Sequence, residues 1–285
     1  MLLAVAVGIL AVIAYQRANP PLASLSPQRV PTFDLGVGSP AATPTATPEP
    51  PREFPRSSER FLTAAAGTLW RATAGACGGA EPLVERSNDG GGSWTDVTPR
   101  YLAIAQVASL DGLAVQAVEA VTAVEGECGA VALRSWTNGE FWESYPDVLE
   151  VSRYVDLTDP ATVHMNTGSV AAPCSVAHGM RALRDAVALV CDRVAYAWRN
   201  GQWARLPGAD AAAVAIAGSD VISAHVTKDC PGLTLTRFTA GDPGTASPAG
   251  CAEVTDAGSP AALVPFGAGF LVWSGADFVH SSLVR

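Results

Sequence analysis

The sequence predicts an all-β fold, a β-propeller of about five to six four-stranded blades, preceded by an N-terminal transmembrane segment and a disordered linker. Three observations predict the propeller. A strand–turn–aromatic unit recurs along residues 59–285. Two of its turns are Asn-Gly between alternating strands, a short-range hairpin signal because both turn residues need positive φ. Long helical periodicity is absent there.

The chain opens on an apolar run, residues 1–15, within a segment 1–18 expected to act as a signal anchor or transmembrane helix. As a helix the run spans about 22 Å at ~1.5 Å per residue, short of the ~30 Å hydrocarbon core. The first basic residue, Arg17, follows the run, against the positive-inside pattern. A shortened anchor and a signal peptide cleaved near Ala14 or Ala18 therefore both stand. Residues 19–58 hold ten prolines, with the low-complexity stretch AATPTATPEPP at 41–51. Such a segment builds no core and is expected to be a Pro/Thr-rich disordered linker, extended and partly polyproline II.

The domain proper is expected at 59–285. Its clearest repeat is Ser87–Trp94, after the strand-like Leu83–Arg86. The next two are Val131–Trp142 and Val194–Trp203. Weaker copies are Leu233–Asp242 and Phe270–Phe278. The turn glycines Gly91, Gly139, Gly201, Gly241 and Gly275 lie 48, 62, 40 and 34 residues apart. Irregular spacing fits blades with variable loops better than a solenoid. Further β-type stretches are 67–71, 112–118 and 219–226. Residues 181–190 read as a helical turn or more. Closure by one blade that combines Phe61–Arg71 with Phe278–Val284 is one expectation.

The six cysteines, Cys77, Cys128, Cys174, Cys191, Cys230 and Cys251, all follow the linker. An even count behind an export signal favours disulfides. Sequence neighbours suggest Cys77–Cys128, Cys174–Cys191 and Cys230–Cys251; the last two close short loops. Four of the cysteines precede a repeat strand, which leaves the first pair less certain, since equivalent positions on adjacent blades need not approach.

Net charge is −9, Lys228 is the single lysine, and no basic tract exists, so no nucleic-acid partner is expected. No cysteine or histidine cluster has zinc spacing, and a lone carboxylate at Asp89 is too few ligands for calcium. No metal or cofactor is expected. His164, His178, His225 and His280 are widely separated, and no GxSxG, Walker or dinucleotide motif appears.

Ser87, Asp89, Gly91, Ser93 and Trp94 match the pattern S-x-D-x-G-x-[ST]-W in full, and so the chain resembles the BNR/Asp-box propellers, a group with sialidases and sortilin-type receptors. In the second copy Ser135, Gly139 and Trp142 fit, while Thr137 stands where Asp is expected. The resemblance implies that these boxes are fold-stabilising turns. Physically, a short Asp side chain accepts backbone N–H groups inside a tight turn. The sialidase set that the family would imply, with its Arg-Ile-Pro signature, is not found, so no catalytic residue is assigned.

Trp136 and Trp198 recur at one repeat position beside the strand cations Arg134 and Arg199; these four are the candidate ligand face, and packing between blades is the other reading of the tryptophans. The functional expectation is a non-catalytic, membrane-tethered propeller with its C-terminal domain outside the cytoplasm, binding a protein or a carbohydrate. A sialidase-like glycoside hydrolase and an assembly factor for a membrane complex are the alternatives. The oligomeric state is left open.

Overall fold

The computed structural model describes residues 54–282. The expected membrane segment and most of the expected linker lie outside the described residues. Among the described residues no helix is long and apolar enough to cross a membrane.

Six antiparallel sheets follow one another along the chain. Blade 1 is β1 (Arg60–Ala65), β2 (Thr68–Thr73), β3 (Leu83–Ser87) and β4 (Thr95–Asp96). Blade 2 is β5 (Ile104–Ala114), β6 (Ala117–Val124), β7 (Ala130–Ser135) and β8 (Glu143–Ser144). A short helix, α1 (Pro146–Leu149), leads to blade 3: β9 (Tyr154–Val155), β10 (Thr162–Met165) and β11 (Gly168–Ala171). Blade 4 is β12 (Ala177–Leu183), β13 (Ala186–Cys191), β14 (Val194–Arg199) and β15 (Gln202–Arg205). Blade 5 is β16 (Ala211–Ala217), β17 (Asp220–Val226), β18 (Leu233–Phe238) and β19 (Ala246–Ala252). Blade 6 is β20 (Ala261–Phe266), β21 (Gly269–Ser274) and β22 (Asp277–Ser282). The leading strands β1, β5, β9, β12, β16 and β20 touch in cyclic order, with β20 back against β1. The chain is thus a six-bladed propeller. Four blades have four strands and two have three among the described residues.

Each blade interface has its own apolar core. Phe61, Trp70 and Leu110 fill the space between blades 1 and 2, and Leu189, Met180 and Val163 that between 3 and 4. Leu233, Phe270 and Val272 join blades 5 and 6. Central strands are covered on both faces, so β13 is an unbroken buried run, Val187 to Cys191. That run explains one correction. Residues 181–190, expected to hold a helical turn, are two strands joined at Arg184, whose φ is +53°. Doubly buried strands lose the alternation that marks a strand.

Three further expectations are corrected. Blade 1 is built wholly from N-terminal residues and blade 6 wholly from C-terminal ones, so no strand is exchanged at closure. The segment 112–118 is the end of β5, a turn at Val115–Gln116, and the start of β6. The turn at Gly275 joins the second and third strands of its blade, whereas Gly91, Gly139, Gly201 and Gly241 lie between the third and fourth. In blade 3 the two outer strands are joined by Asn166–Thr167, a turn that carries no aromatic and escaped the repeat pattern.

Blade 3 differs in direction. Val151–Arg153, just before β9, border the same cavity as the ends of β5, β12, β16 and β20. Beyond β9, the carbonyls of Val155 and Asp156 meet Arg56, at the entry of β1. So β9, the innermost strand of its blade, runs opposite to the leading strands beside it.

All six cysteines are paired as sequence neighbours: Cys77–Cys128, Cys174–Cys191 and Cys230–Cys251. The first ties blade 1 to blade 2, with Cα atoms 5.8 Å apart. The blade equivalence that made this pair less certain is real, yet the loops meet.

Candidate functional site

The third-to-fourth-strand turns come first, because the sequence motif falls on them. In blade 1 the Asp89 carboxylate accepts the Ser87 hydroxyl at 2.7 Å, the Ser93 N–H at 2.9 Å and the Ser93 hydroxyl at 2.6 Å. The Gly91 N–H donates to the Ser87 hydroxyl at 2.8 Å, and Trp94 Nε1 donates to the Gly91 carbonyl at 3.1 Å. Blade 2 repeats the network with a hydroxyl in place of the carboxylate. Phe141 N–H donates to Thr137 Oγ1 at 2.9 Å, Gly139 N–H to Ser135 Oγ at 2.8 Å, and Trp142 Nε1 to the Gly139 carbonyl at 2.9 Å. Every polar group of the motif is used inside the turn.

The expected ligand face divides. Trp198 and Arg199 are on β14 in blade 4. Trp198 packs edge-on to Trp203 at 4.9 Å, and Arg199 pairs with Asp242 at 3.2 Å. Trp136 and Arg134 are in blade 2, with blade 3 between. Arg134 donates to Glu119 at 2.6 Å and lies over the Tyr145 ring. Trp136 alone of the four presents an open face: it is 55% exposed, with Nε1 donating to Tyr145 Oη at 3.2 Å. Beside it Phe141 is 68% exposed, and Tyr101, whose hydroxyl bridges the N–H and carbonyl of Trp142, is 61% exposed.

The central channel is interrupted. Residues 56–58, expected in the linker, form a 3-10 turn packed on the propeller, where the Gly75 N–H donates to the Ser57 carbonyl at 3.0 Å. From there Arg56 reaches the blade 3 carbonyls. Glu59 accepts the Gly179 N–H of blade 4 at 2.7 Å, and Arg181 of blade 4 donates to the Arg60 carbonyl at 3.0 Å. A cavity of about 300 Å³ lies by Arg56, Arg60 and His178, and another of about 480 Å³ by Asp111, Arg153 and Arg181. Burial pushes the Asp111 carboxyl up to about 6, against the pull of Arg181. Burial also lowers the Arg181 and His178 values. Asp111 faces Glu119 directly across the β5–β6 ladder.

No protein-family model matches the sequence, and no curated protein matches it. Solved structures do. YCF48 bound to D1 peptide is 12% identical with a TM-score of 0.45, over 79% of this chain and 77% of that one. The SapL1 lectin in complex with alpha methyl fucoside is 11% identical with a TM-score of 0.41, over 81% and 97%. The GH43_1 enzyme from Xanthomonas citri complexed with xylotriose is 10% identical with a TM-score of 0.39, over 75% and 80%. Likeness at this level says nothing of ligand or chemistry in this chain. The Asp-box likeness rests on the turn residues and on no family match.

One polar chain has no sequence signature. Ser169 Oγ lies 3.2 Å from His164 Nδ1, and His164 Nε2 lies 2.8 Å from Asp156. His164 also stacks on Tyr154 at 4.5 Å. Ser169 sits opposite His164 in the β10–β11 ladder and borders neither cavity. Its order of atoms resembles a hydrolase triad, but a strand serine lacks the exposed elbow that a nucleophile uses. Among the described residues no group of three or more His, Cys, Asp or Glu side chains is arranged to hold a metal ion.

Proposed function

We propose that this propeller is a non-catalytic binding module that works outside the cytoplasm, held to a membrane through residues 1–18, and takes a protein or glycan partner. The observation that carries the reading is the aromatic surface of blade 2. Trp136, Phe141 and Tyr101 expose most of their rings while their polar atoms or backbones are fixed by hydrogen bonds. Exposed aromatics held in fixed geometry are costly unless covered, and they anchor binding surfaces. Pairing of all six cysteines favours an oxidising compartment.

The test uses the full-length chain against envelope proteins and cell-wall glycans. Binding that weakens about tenfold in Trp136→Ala supports the reading; no binding in either class sinks it.

One observation favours a second reading, a glycoside hydrolase. Asp111 and Glu119 are cross-strand neighbours, and such pairs place Cβ atoms about 5 Å apart, near the carboxyl spacing of retaining glycosidases. The protonated Asp111 would supply the acid, and Glu119, which accepts from Arg134 at 2.6 Å, the nucleophile. Release of reducing sugar that disappears in Asp111→Asn would support this reading over the first.

A further inference from the structure

We infer that the blade 2 surface is a docking site for a positively charged, apolar segment of a partner protein; this rests on the binding-module reading and names its partner class. The surface is the turn of Trp136–Trp142 with the chain that follows. Trp136 and Phe141 flank this turn, which Thr137 ties together through both the N–H and the carbonyl of Phe141. The turn of β5–β6 lies alongside, joined by the Asn138 N–H donating to the Gln116 carbonyl at 2.9 Å, and adds Val115, 70% exposed.

Charge decides the occupant. Residues 136–150 contain Glu140, Glu143, Asp147 and Glu150 and no Lys, Arg or His. All four carboxylates are on exposed residues. Of the cations around it, Arg134 pairs with Glu119 at 2.6 Å and Arg100 with Asp96 at 2.8 Å, while Arg86, which donates to the Asn138 carbonyl at 3.1 Å, and Arg153, which donates to the Arg184 carbonyl, keep their charge; four carboxylates against two cations leave the surface net negative. An apolar patch followed along the chain by four exposed carboxylates repels anionic glycans and acidic proteins, and a neutral sugar leaves that charge unanswered. A segment with Lys or Arg beside apolar side chains satisfies both features. Its cations meet the carboxylates and the open faces of Trp136 and Phe141, where a cation over an aromatic ring is attracted.

The experiment places a photoreactive phenylalanine analogue at Phe141 of the full-length chain in its native cells, with the same analogue at Val176, by the cavity near His178, as control. Crosslinked segments are sequenced. Expected is a protein segment with net positive charge, crosslinked from position 141 and not from 176. Its yield falls about tenfold when Glu140→Lys and Asp147→Lys are added, with the thermal melt unchanged. A glycan, a second copy of this chain or an acidic segment at 141 overturns the inference. Crosslinks from 176 alone overturn it while the binding-module reading stands; none from either site overturns both.

Discussion

Gly91 in blade 1 lies against the ring of Phe278 in blade 6: a Cβ built on the glycine would stand 2.1 Å from Phe278 Cε1. The Ser87–Trp94 turn therefore takes part in closing the ring. Trp94, in the same turn, packs edge-on to Phe278 at 5.2 Å, and Arg71 lies between Trp94 and Trp273. Closure is by side chains, without an exchanged strand. Gly91 also has φ +97°. Gly91→Ala meets both penalties, steric overlap and a left-handed backbone, together about 3 kcal/mol. Urea unfolding should show that loss. Adding Phe278→Leu should recover part of it, and the φ penalty should remain.

What is legible in the sequence follows from this turn chemistry. Asn138-Gly139 and Asn200-Gly201 all have positive φ, which few residues tolerate, so the residue types announce the turns. The join at Arg184 also has positive φ but no glycine, and there the reading failed. The channel plug is illegible for another reason. Arg56 meets Asp156 at a separation of 100 residues, and nothing local in either segment signals the contact. Trp136 and Trp198 share a repeat position, yet neighbours decide exposure: Trp203 packs on the Trp198 ring, whereas Trp136 donates to the Tyr145 hydroxyl and stays 55% exposed.

The two boxed turns predict a difference in pH response. Hydrogen bonds from Ser93, then from Ser87, hold the Asp89 carboxyl well below the usual carboxylate range. A depressed folded value contributes stability above the unfolded value of about 4 and loses it as pH falls below. Thr137 does the corresponding work with a group that does not titrate. Asp89→Ala should therefore destabilise more at pH 7 than at pH 3. Thr137→Ala should cost about the same at both pH values. Thermal melting of both variants across pH 3 to 7 checks this; parallel curves would contradict it.

Asp111 has the opposite sign. Its folded value, about 6, exceeds the unfolded value of about 4. Between those values the folded protein holds the extra proton, so stability falls as pH rises and levels off above about 6. Two units correspond to about 3 kcal/mol at most, less where water enters the cavity. Asp111→Asn should raise the melting temperature at pH 7 and leave it unchanged at pH 3.5. A variant that melts lower at pH 7 would show that Arg181 depends on the charge.

The disulfides rank by the loop each closes. Cys77–Cys128 spans 51 residues, Cys230–Cys251 spans 21 and Cys174–Cys191 spans 17. Chain entropy assigns about 4 kcal/mol to the first and about 3 kcal/mol to each of the others. The first also fastens blade 1, the blade that closes on Phe278, to blade 2, so its loss should loosen both interfaces of blade 1. Cys77→Ala with Cys128→Ala should give the largest drop in melting temperature of the three double variants. Hydrogen exchange should rise in β1–β4 before it rises in β16–β19. Equal exchange in both blades would mean that the ring opens as a whole and not at the closing blade.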